Sequence, residues 1–113
     1  MERLSFRESE RRIERFGSRE FGIKRLGRLA DGQVVCVRLG AGGLVGRHVA
    51  TIAQLFAVIE GDGWVAGGER RREPIAAGEA VVFAAGEEHE SGTETGLVAL
   101  VVESASLDAR AVS

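Results

Sequence analysis

The sequence predicts an all-β fold, an antiparallel sandwich or barrel of a single domain. Three observations predict it. From residue 20 onward, short runs rich in Val, Ile, Leu and Phe succeed one another: FGIKRL, QVVCVRL, RHVATI, QLFAVIEG, GWVAGG, EAVVFAAG and GLVALVVE. Glycine-centred breaks divide them, at Asp31-Gly32, GAGG, Glu60 to Gly63, Gly67-Gly68 and Ala77-Gly78. Helical signals are few over the same stretch, and regularly spaced short strands without helices are the pattern of sandwiches and barrels. With 113 residues there is room for one core and no second domain.

The elements follow in order. Residues 1–19 read as a charged N-terminal arm, either a short helix over Arg7 to Arg15 or an extended segment. Its apolar anchors would be Leu4, Phe6, Ile13 and Phe16, packed across the barrel or a partner subunit. Residues 20–103 form the β domain. Within it, Gly61-Asp62-Gly63 lies between two β-like runs and is expected to be a hairpin connection, glycine supplying positive φ without steric cost. Residues 104–113 are small and polar, and a frayed tail is expected there.

Charge and cysteine content bound the function. Residues 1–28 carry nine basic side chains against five acids, whereas residues 29–113 carry six against twelve. The basic arm alternates its signs, as in ESERRIER, which favours a solvated face with local ion pairs. No helix-turn-helix pattern, zinc-finger spacing or aromatic strip accompanies it, so no nucleic-acid partner is expected. MERLSFRESERRIERF has no apolar leader core, and the longest apolar run is far short of a membrane span, so no membrane partner is expected. The lone Cys36 cannot form an internal disulfide, which suits a reducing cytoplasm; in VVCVRL it reads as a small buried apolar side chain.

Two spaced motifs carry the chemistry. Gly42 is followed by five residues and His48, then Val49, Ala50, three residues, Gln54, six residues and Gly61. Further on, Gly78 precedes five residues, Ala84, Ala85, Gly86, two residues, His89, three residues and Thr93. Together these resemble the paired motifs of the cupin superfamily over roughly residues 33–103. The resemblance implies a small jelly-roll barrel, usually a homodimer. It also implies that two histidines and a glutamate of the first motif and a histidine of the second would converge inside the barrel on iron, manganese, nickel, zinc or copper. This sequence departs from the pattern where it matters. Ala50 stands for the second histidine, and Gln54, a neutral amide, stands for the glutamate. Proline and asparagine of the second motif are Ala84 and Thr93.

Alternate strand residues face one way, so His48, Ala50, Ile52 and Gln54 would point inward on a regular strand. The metal ligands still on offer are His48, Gln54 and His89, and the expected ligand pocket is His48, Gln54, Phe56, Val58 and His89. Phe83 joins the lining or the core, and Trp64 walls the barrel or a dimer contact. Arg47, Glu88 and Glu90 flank the histidines and are expected to face solvent. Arg70-Arg71-Arg72 reads as a charged edge that discourages strand-to-strand aggregation, with an anion site as the sharper alternative. Cys36 and Arg38 share a face whose direction the sequence leaves open. The expected function is a cytoplasmic barrel that binds a small organic ligand through imidazole and amide hydrogen bonds, its metal centre reduced. The alternatives are a metal-dependent dioxygenase or isomerase, and a regulatory protein whose barrel is filled. No catalytic triad, Walker loop or dinucleotide fingerprint is present.

Overall fold

The computed structural model describes residues 1–110. Strands account for nearly all of its regular structure: β1 Arg11–Arg12, β2 Arg19–Leu29, β3 Gly32–Val49, β4 Gln54–Ala66, β5 Glu73–Ala76, β6 Ala80–Phe83, β7 Glu88–Gly92 and β8 Leu97–Ser104. A single 3-10 turn, Arg15–Gly17, precedes β2. Every strand pairing among the described residues is antiparallel.

Two long strands close the barrel. The first half of β3, up to Leu39, pairs with β2 and β8; its second half, from Leu44, pairs with β7 and keeps one bridge to β2, Leu44 with Arg19. In β4, residues up to Gly61 pair with β8, after which Asp62 to Ala66 pair with β5 and β7. Each strand changes partner at a glycine in the left-handed region, Gly42 at φ 75° and Gly61 at φ 78°. The expected breaks at GAGG and at Gly61-Asp62-Gly63 are therefore bends inside continuous strands, not turns. The reason is that partners wait on both sides of the bend, so a positive-φ glycine redirects the chain without ending the ladder. At Gly61 a side chain would also run into the carbonyl of Gly96, the residue just before β8.

The interior follows period-two patterning. Val35, Val37 and Leu39 on β3 are buried, and so are Leu97, Ala99 and Val101 on β8. Each Val and Leu among them contributes roughly 1.5–3 kcal/mol when removed from water. The same alternation settles the facing of Cys36 and Arg38, which lie on the outer surface. There Arg38 makes a two-pronged ion pair with Glu10, both contacts at 2.7 Å. Cys36 is half-buried on that surface and not in the core, a correction to the expected buried thiol; partial burial raises its pKa.

The arm is extended, not helical. Arg11 and Arg12 pair with Ile23 and Gly22 of β2, and the Ile13 amide donates to the Phe21 carbonyl at 2.9 Å. Of the expected anchors, Ile13 and Phe16 border the barrel cavity and Leu4 and Phe6 do not; Leu4, Phe6 and Phe16 are all exposed. The tail expected to fray from residue 104 is tied down over its first three residues. Ser104 ends β8, and the Ser104 and Ser106 hydroxyls donate to the Asp31 carboxylate at 3.0 and 2.6 Å, holding its pKa below the ordinary value. Residues 111–113 of the tail lie outside the described residues.

Candidate functional site

A cavity of about 390 Å³ lies within the barrel. Val35, Val37, Phe56 and Val101 form apolar walls, and His48, His89, Gln33, Gln54 and Glu103 bring polar groups to it. Of the expected pocket residues, His48, Gln54, Phe56 and His89 line this cavity together. Val58 does not; it is packed in the closed core.

The imidazoles come together because β3 and β7 pair with His48 opposite His89. Their ring centroids are 4.3 Å apart and the planes are inclined by 54°. Phe16 of the arm stacks on His48 at 5.0 Å, nearly parallel, and Phe83 stacks on His89 at 4.3 Å. The Nδ1 of His48 is 2.8 Å from the Gly46 carbonyl oxygen. A carbonyl only accepts, so in the neutral ring Nδ1 carries the hydrogen and Nε2 presents a lone pair. His89 is 4% exposed, and its Nε2 is buried with no hydrogen-bond partner. Burial, and then the neighbouring charge of His48, push the His89 pKa down to about 4, so the ring is neutral near physiological pH.

Gln54 faces a carboxylate that sequence reasoning missed. Glu103 on β8 is in register with both Gln33 on β3 and Gln54 on β4. The Gln33 amide donates to Glu103 Oε1 at 2.6 Å and the Gln54 amide to Oε2 at 3.2 Å. Its signal was present in GLVALVVE: Leu97, Ala99, Val101 and Glu103 share one parity, so the last of them points inward with the other three.

The flanking charges behave partly as expected. Arg47 points away from the cavity but is largely covered. It donates to Glu88 at 2.7 Å and to the Gly67 carbonyl at 2.8 Å, and its positive charge keeps the Glu88 pKa low. In the basic triplet, Arg72 lies over the Trp64 ring at 3.8 Å, Arg71 pairs with Glu73 at 2.8 Å and Arg70 with Glu88 at 3.4 Å. Thr93, in the asparagine position of the second motif, donates to the Asp62 carbonyl at 2.7 Å.

The residues present do not fit the divalent ion that the motif resemblance implies. Among the described residues no three His, Cys, Asp or Glu side chains are grouped so as to hold a metal. At the second histidine position the buried Ala50 offers a methyl group. The Gln54 amide is turned onto Glu103. A two-imidazole pair without an adjoining carboxylate lacks the facial donor set that such sites use.

No family model matches the chain, and no curated protein matches it. Solved structures do. A polyketide cyclase, RemF, from Streptomyces resistomycificus is similar at a TM-score of 0.80 and 21% identity, over 93% of this chain and 80% of that one. A predicted oxalate decarboxylase from Thermotoga maritima is similar at a TM-score of 0.75 and 20% identity, over 91% and 98%. An RmlC-like cupin from Shewanella frigidimarina is similar at 0.75 and 19%, over 96% and 95%. The glycine-hinged β3 and β4, the closed antiparallel barrel and these likenesses agree: the chain has the cupin fold.

Proposed function

We propose that the chain is a small-molecule-binding cupin-like barrel, taking an organic ligand through direct hydrogen bonds and apolar contact. The observation that carries this reading is the cavity of about 390 Å³ itself, which brings His48, His89, Gln54 and Glu103 together among the apolar walls of Val35, Val37, Phe56 and Val101. A cavity of this size speaks against the filled-barrel alternative. An enzyme is the second reading, and one observation favours it: the His48 Nε2 lone pair, fixed by Gly46, is placed as a general base beside that space. Similarity to proteins described as a polyketide cyclase and a predicted oxalate decarboxylase is compatible with it. The donor set disfavours the metal-dependent form of that enzyme.

A second copy of the chain is the proposed partner. In register across the outer surface run Val82, Leu55, Val102 and Val34, with Val82 48% exposed. Such an apolar row on a sheet face is what a homodimer would cover. A cytoplasmic setting accords with the unpaired Cys36. No helix among the described residues is long and apolar enough to cross a membrane.

Native mass spectrometry of untagged protein tests the reading, together with elemental analysis and sedimentation velocity. An organic adduct released on denaturation, with less than stoichiometric transition metal, is the expected result. Stoichiometric metal that disappears in His48→Ala and His89→Ala would overturn it in favour of a metalloenzyme. A sedimentation coefficient of a monomer at micromolar concentration would remove the dimer.

A further inference from the structure

We infer that Glu103, clasped by Gln33 and Gln54, is a subsite for an ammonium group, so that the ligand is an amine with an apolar or aromatic body. The inference rests on the reading of the barrel as a ligand chamber. It begins with a charge that the fold leaves unbalanced. Among the described residues Glu103 has no ion-pair partner; its contacts are the two amides, at 2.6 and 3.2 Å. Arg15 borders the cavity from the exposed 3-10 turn and makes no pair with it.

The clasp does two things. Each amide gives an N–H to a different carboxylate oxygen, which fixes the plane of the carboxylate. Each oxygen keeps a further lone pair for a ligand. Elsewhere the cavity also offers acceptors and π faces: His48 Nε2 in the neutral ring, and the rings of Phe16 and Phe56. Negative charge, lone pairs and aromatic faces attract a cation and repel an anion. An ammonium supplies three donors and a positive charge to Glu103, which no protein cation pairs among the described residues. A hydroxyl of the same shape supplies one donor and no charge, so it binds more weakly, and a carboxylate opposes Glu103 outright.

The test uses the full chain and three probes with one body: 2-phenylethylammonium, 2-phenylethanol and phenylacetate. Binding is read at neutral pH by amide chemical-shift titration, following residues of the cavity. The ammonium is expected to bind at least about tenfold more tightly than the alcohol, with phenylacetate weakest, a charge-assisted hydrogen bond being about twice as strong as a neutral one. Glu103→Gln is expected to bring the ammonium down to the alcohol's affinity and to leave the alcohol little changed; Glu103→Asp, which keeps the charge, should lose less. If ammonium and alcohol bind alike, or phenylacetate binds best, the subsite is wrong while the chamber stands, because the neutral body still enters. If no probe shifts the cavity residues, the subsite falls and the chamber reading falls with it. The wild-type ranking decides even if a Glu103 variant fails to fold.

Discussion

His48 and His89 face each other across the β3–β7 ladder at 4.3 Å, and each is backed by a phenylalanine, so four rings run in series from Phe16 to Phe83. Burial rises along the series. Phe16 is 60% exposed, His48 is half-buried, and His89 and Phe83 are in the interior. The pair thus joins an imidazole accessible to a ligand to one that the core has stripped of water, and the two differ in what a proton costs them.

Acidification should expose that difference. The folded pKa of His89 is pushed down to about 4, whereas the unfolded ring titrates near 6.5. A depressed folded value means that the unfolded chain takes up the proton first. Stability is therefore full above about pH 6.5, falls by up to about 1.4 kcal/mol per unit as pH drops, and levels near pH 4. Carboxylates held low by their partners, Glu10 by Arg38 and Glu88 by Arg47, act in a lower window, from about pH 4.5 downward. Urea unfolding between pH 7 and 5 should show the slope in wild type and lose it in His89→Gln. Parallel curves for the two proteins would show that His89 is not desolvated.

The arm is held at a point where only glycine fits. A β-carbon at Gly46 would collide with the Phe16 carbonyl oxygen, and the Gly46 amide donates to the Ser18 hydroxyl at 2.9 Å. Gly46→Ala should cost roughly 1–3 kcal/mol by displacing the 3-10 turn. With the turn displaced, trypsin should cut after Arg15 faster than in wild type. Unchanged proteolysis and melting temperature would mean that the arm does not rest there.

Phe16 itself stands at φ 59°, a left-handed conformation that costs a residue with a side chain roughly 1 kcal/mol. Both Phe16→Ala and Phe16→Gly lose the stack on His48, but only glycine relieves the backbone. Phe16→Gly should accordingly be the more stable of the two by about 1 kcal/mol in chemical denaturation. The reverse order would place the residue outside the left-handed region in solution.

Much of this fold was legible because burial on β3, β4 and β8 follows a clean alternation. The strand edges were less so. GAGG and Gly61-Asp62-Gly63 carry the same residues whether glycine ends a strand or bends it, and only the partners across the sheet decide which. β7 escaped notice because its buried positions are His89, Ser91 and Gly92, none of them an apolar side chain that would mark a strand. The histidine pair was readable from spacing. Glu103 was not singled out, since a charged residue at the close of an apolar run looks like its solvated end, and its partners Gln33 and Gln54 are 70 and 49 residues away.

The Gln54–Glu103 contact gives the most direct check of that site. Gln54→Glu replaces an N–H donor with a second carboxylate facing the first, and like charges at hydrogen-bond distance cannot both ionise freely. One of the pair then acquires a folded pKa above its unfolded value. For an acid that sign means that the folded state holds its proton longer. The variant should therefore approach wild-type stability near pH 4 and fall behind as pH rises through the carboxylate range, by about 1–3 kcal/mol at neutral pH. Gln54→Leu, which removes the donor and adds no charge, should show a deficit that does not grow with pH in this way. If Gln54→Glu tracks wild type at every pH, the amide does not face Glu103, and the carboxylate of the cavity is held by Gln33 alone.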